Sequence, residues 1–155
     1  MFFLCPRHRQ HVAGLPLKDQ QDLWFRWLGH GGLFYDLGVW HDAIPYLGCA
    51  YDLAEERVFQ TTGGQEPPLL QLTLSAIYLV NACRHQGDTY RARCAERRAL
   101  TSLHLAEGGT WENQSLREHY ASIIRDTGRH EAFFRDYLNL PFEPFDTMAS
   151  VARRH

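Results

Sequence analysis

Between Trp24 and Glu56 apolar residues return every three or four positions, in two runs separated by Gly38. The first run sets Leu23, Trp24, Trp27, Gly31, Phe34 and Tyr35 on one side. The second sets Ala43, Ile44, Leu47, Ala50, Tyr51 and Leu53. This period predicts two helices. Gly38 ends the first, because glycine enters the left-handed region without a Cβ clash. Pro45 suits a helix only in its first turn, where the missing N–H has no intrahelical partner. The second helix is therefore expected to begin near His41 or Asp42. With so short a connection the two must run antiparallel.

The same reading extends along the chain. The first helix is expected from about Lys18 to Leu37, with Asp19 and Asp22 complementing its dipole. Its Gly29–Gly32 run costs about 1 kcal/mol per glycine relative to alanine, so a neighbouring helix should pack closely there. The second helix ends near Phe59, before the loop TTGGQEPP, whose prolines suit a helix start. The third runs to Gln86. It carries Leu70, Leu74, Ile77, Tyr78 and Cys83 around more than one face, so it should be the most buried. Gly87 makes the second turn and Asp88 caps a fourth helix. That helix bears Ala92, Ala95, Ala99 and Leu103 on one side, and Arg91, Arg93, Arg97 and Arg98 on a face read as solvated. After Gly108-Gly109, Thr110 caps a fifth helix to Thr127. Gly128 makes the third turn, and a sixth helix runs from Arg129 to Leu140. Phe145, Met148 and Val151 predict a short capping helix. Residues 1–17 read as an irregular arm broken by Pro6, Gly14 and Pro16. Its Phe2, Phe3 and Leu4 should pack on the first hairpin or on a partner. The division is thus an arm, 1–17, and one all-α domain, 18–155, with hairpins at about 18–59, 67–106 and 111–140.

Length and charge narrow the function classes. At 155 residues the chain is one domain, and its net charge of −2 gives no pull towards nucleic acid or membrane. No apolar run approaches a bilayer span. The apolar start, Met1–Cys5, is too short for a secretory signal. The four cysteines form no CxxC pair and read as free thiols in a reducing compartment, so a cytoplasmic location is expected. Cys5, His8 and His11 are metal-ligand types at tight spacing. They are weak candidates, since zinc needs four convergent ligands and no second cluster is visible. No metal or cofactor is expected. The His-Gly-Gly run has no G-x-S-x-G nucleophile to serve, and the other histidines are scattered, so the chain reads as non-enzymatic.

The hairpin around Gly38 resembles a tetratricopeptide repeat. Trp27 stands at the family's Trp, Gly31 at its Gly and Phe34 at its Tyr. Ala43, Leu47 and Ala50 stand at its Ala, Phe and later Ala, while His30 and Glu55 depart from its Leu and Pro. Setting Gly87 on Gly38 returns Ala92 and Ala99 to the alanine positions. The turn glycines lie 49 and then 41 residues apart, against a family period of about 34. The resemblance implies about three hairpins stacked as a right-handed superhelix, with a concave groove lined by the first helix of each pair. The family's groove positions fall on Phe25, Leu28, Gly32, Tyr35 and Asp36, then on Leu74, Ile77, Asn81, Arg84 and His85, then on Glu118, Ser122, Arg125 and Asp126. Phe25, Leu28, Leu74 and Ile77 read equally well as core. The lysine clamp of the chaperone-binding subgroup has no counterpart, since Lys18 is the only lysine. The implied function is an adapter or chaperone holding a partner peptide or helix. The alternatives are a self-assembling homo-oligomeric subunit, and a histidine-rich metal protein or enzyme.

Overall fold

The computed structural model describes residues 2–61, 66–106 and 111–138, and it is helical throughout, with no strand among those residues. Seven α-helices follow in order: α1 (Pro6–Ala13), α2 (Leu17–Asp36), α3 (Trp40–Gln60), α4 (Glu66–His85), α5 (Thr89–Leu105), α6 (Trp111–Arg125) and α7 (His130–Leu138). A 3-10 turn over Thr127–Arg129 precedes α7.

Two turns use left-handed glycines, Gly38 at φ +73° and Gly87 at φ +88°. Each folds a helix back on its predecessor. Gln21 meets Arg57, and a Cβ on Gly31 would stand 2.5 Å from the Leu47 side chain, so α2 and α3 are antiparallel and close. The glycine run is thus the contact that lets α3 approach, and α2 continues unbroken through it. Arg84 pairs with Glu96 across the α4–α5 turn in the same sense. The two hairpins stack side by side. The fully buried Trp24 donates its Nε1–H to Ser75 Oγ at 2.9 Å, joining α2 to α4. Asp52 and Tyr51 meet Arg98 and Ser102, joining α3 to α5. Helix α4 lies in the middle, with every residue from Gln71 to Val80 buried.

Several boundaries differ from the expected ones. Pro6–Ala13 is an eight-residue helix and not an irregular stretch, because Pro6 occupies a first-turn position where it costs no hydrogen bond. Arg9 ties it to Glu56 on α3 at 2.6 Å. Helix α3 starts at Trp40, which puts Pro45 beyond the first turn, on an exposed side of the helix. Asp88 does cap α5, accepting from Arg91 N at 3.0 Å. Gly128 does not take up the left-handed conformation; Asp126 turns the chain by accepting its N–H. The expected Thr110 cap, the end of the sixth helix and the helix after Phe142 lie outside the described residues.

Candidate functional site

Of the residues expected to line a groove, Tyr35, Asn81, Arg84 and His85 gather where α2 and α4 meet α7 and the turn before it. Leu28, Leu74 and Ile77 are fully buried and belong to the core. Phe25 is half-buried, edge-on to Trp24. Tyr35 is also half-buried and packs edge-on against Trp40, Tyr78 and His85. Burial, with Asp36 beside it, pushes the Tyr35 phenol up to about 12. Asp36 is half-buried and Gly32 is buried. The exposed His85 lies flat on Trp40, centroids 4.3 Å apart.

Helix α7 covers this face. Phe134 reaches Tyr78 at 4.4 Å and Tyr35 at 6.0 Å. The Asn81 amide donates to Ile77 O and faces His130 Nδ1 at 3.0 Å. On its other side His130 Nε2 lies 3.1 and 3.0 Å from the carbonyls of Ile123 and Ile124. Carbonyls accept, so Nε2 carries the proton and Nδ1 accepts from Asn81. Burial holds His130 below the ordinary imidazole range, and Arg84 acts in the same direction, against the two carbonyls and Glu96. Arg84 itself spans Thr127 Oγ1 and Glu96. Asn81 and Arg84 are therefore engaged by the chain's own third hairpin. Arg125, Glu118 and Asp126 are exposed and Ser122 half-exposed. Arg125 and Glu118 border a separate 330 Å³ cavity between α5 and α6.

The opposite face, along α3 and α5, carries the more unusual chemistry. Asp52 is fully buried. Its Oδ2 accepts the backbone N–H of both Phe3 and Leu4 at 2.7 Å, and its Oδ1 accepts from Arg98 at 2.8 Å. Arg98 also forks onto Glu55, through Nε at 3.0 Å and NH2 at 2.8 Å. Tyr51 and Ser102 donate to the same carboxylate. Burial pushes Glu55 up, but these donors outweigh it and hold the group below the usual carboxylate range. Burial and the Glu55 charge raise the Tyr51 phenol strongly. Phe3 lies directly over Gly48, where a Cβ would stand 2.2 Å from its ring. The Phe2 ring faces Arg9 at 3.8 Å and Arg98 at 4.4 Å.

Beside this seat opens a 670 Å³ cleft lined by Phe2, Phe59, Tyr90, Cys94, Arg97 and Leu105, among others. Of the eight large apolar side chains exposed among the described residues, four stand around it: Phe2, Phe59, Tyr90 and Leu105. The site was not singled out from sequence, although signals were present. Asp52 and Glu55 fall among the apolar positions Tyr51, Leu53, Ala54 and Val58, and Arg98 with Ser102 is spaced one turn apart to meet them. Reading the arginines of α5 as one solvated face merged the half-buried Arg98 with the exposed Arg93 and Arg97.

Cys5 Sγ and His8 Nδ1 approach to 3.2 Å, and His11 is exposed beyond them. Among the described residues no three His, Cys, Asp or Glu side chains converge on a common point, and no helix is long and apolar enough to cross a membrane. All four cysteines are free thiols. Comparison of the chain with protein-family models, with curated proteins and with solved structures finds no match.

Proposed function

We propose that the chain is a non-enzymatic interaction module of tetratricopeptide-like hairpins, an adapter or chaperone that holds a segment of a partner protein in the cleft between α3 and α5. The observation that carries this reading is the gathering of Phe59, Tyr90, Leu105 and Phe2 around one 670 Å³ opening. Apolar side chains scattered singly need no explanation, whereas a cluster of them rimmed by charge marks a contact surface. Arg97 and Arg98 supply that rim. The partner segment would bring an aromatic or aliphatic anchor to the cleft. The resemblance around Trp27, Gly31, Ala43 and Ala50, with the stacking of α2 on α4 and α3 on α5, supports the repeat reading. The binding surface is moved to the second helices, because α7 fills the side that the resemblance pointed to.

Affinity capture from lysate tests this with three baits: the unaltered chain, Phe59→Asp with Leu105→Asp, and Arg84→Ala. The expected result is a stoichiometric protein lost from the second bait and kept by the third. Capture of the chain alone, with a dimeric mass in solution, moves the assignment to self-assembly.

A further inference from the structure

The cleft is half closed by the chain's own beginning. Residues Phe2–Leu4 form no helix, yet buried and charged side chains hold them in place. Two consecutive backbone N–H groups converge on one buried carboxylate, one aromatic ring sits on a glycine, and a second ring faces two guanidinium groups. Nothing in this arrangement depends on the segment being covalently joined to α1. The donors are main-chain groups, which any peptide except proline carries. Gly48 makes a floor for an aromatic ring, and Arg98 offers a cationic face to a second ring. Phe2 is at once held in the seat and part of the cleft wall.

We infer that this seat is a peptide-recognition site, that the Phe-Phe-Leu arm is its intramolecular occupant, and that the partner segment is a non-helical stretch of the same chemistry: two aromatic residues followed by an aliphatic one. Such a segment would displace the arm and run on into the open cleft. The inference deepens the module reading and rests on it. A tethered arm competes at an effective concentration in the millimolar range, so the intact chain should bind such a segment weakly until the arm is loosened. Helix α1 stays anchored through Arg9–Glu56 and through Gln60 to Ala13 O, so release need involve only the residues before Pro6.

The test uses a fluorescein-tagged peptide of residues 1–8 carrying Cys5→Ser, titrated by anisotropy into the full-length chain. Phe2→Ala with Phe3→Ala should tighten binding at least tenfold over the unaltered chain. Adding Gly48→Ala to that variant should abolish binding, since a Cβ there overlaps the seated ring. Alanine favours a helix interior over glycine, so this variant should fold, which circular dichroism checks. Equal affinity for the unaltered and arm-weakened chains, or binding indifferent to Gly48→Ala, would overturn the inference. So would a dimeric mass of the unaltered chain that disappears in Phe2→Ala with Phe3→Ala, which would give the seat to a second copy's arm. The capture experiment, with Phe2→Ala plus Phe3→Ala as a fourth, arm-weakened bait, separates the two readings. A cleft-dependent partner held no more tightly by the arm-weakened bait sinks the competition and leaves the module intact. The absence of any cleft-dependent partner sinks both.

Discussion

The two long faces of the hairpin stack meet the same problem, polar groups beside aromatic rings, in opposite ways. On the α2–α4 face the chain closes over itself: Phe134, His130 and Thr127 take up Tyr78, Asn81 and Arg84. On the α3–α5 face Asp52 and Glu55 are buried and paired with Arg98, but the rings around them stay exposed, Tyr90 at 78% and Phe2 at 60%. The difference teaches that similar hairpin faces are left open or closed by what lies against them, and here α7 lies against the α2–α4 side.

The largest expected effect is on the α3–α5 face. Asp52→Ala removes the acceptor for Phe3 and Leu4 and one of the two carboxylates paired with Arg98. Breaking a buried pair in this way costs about 3–5 kcal/mol, which a denaturant titration would read. Next comes Phe134→Ala on the other face. Full burial of a phenylalanine makes its truncation worth about 3–5 kcal/mol, and at half-burial the loss should be about 2 kcal/mol. If this change proves neutral, α7 is not what closes the α2–α4 side.

Acid should separate the two faces without mutation. His130 lies below its ordinary 6.5 when folded, so the unfolded chain takes up its proton first. Stability therefore falls as pH drops below about 6.5, through the folded pKa, and then levels. Protonation also sets an Nδ1–H against the Asn81 amide, in a site already shared with Arg84 and Glu96. Glu55 is likewise lowered, from 4.5, and its contribution is lost only as pH falls below that value. Thermal melts should thus show two declines, and His130→Ala should remove the first while keeping the second. The smallest effect is expected for Tyr90→Ser and Leu105→Ser, each within about 0.5 kcal/mol, because both side chains already stand in water. A large loss there would mean that the cleft is not open in solution.

Much of the scaffold was legible in the sequence because it follows from local rules. Gly38 and Gly87 turn the chain where the apolar period breaks, Asp88 caps α5, and α4 is the most buried helix. The α1 helix is not legible because Pro6 reads as a breaker, whereas it stands at a helix start. Asn81, Arg84 and His85 lie within little more than one turn of α4, but what covers them depends on the path of α7. That path is set by non-local contacts between Phe134 and two helices more than forty residues earlier in the chain. Asp52, Glu55 and Arg98 escaped notice for the same reason: each is an ordinary surface residue until its partner on another helix is known.

Phe134 also bears on how the molecule comes apart. In an open-ended array each hairpin touches only its neighbours, and an end unit can peel away while the rest stays folded. Here a ring from the third hairpin lies against Tyr35 in the first as well as Tyr78 in the second. Losing the end unit therefore exposes both of the others. Helix α7 is thereby tied to both preceding hairpins, and it should melt together with them.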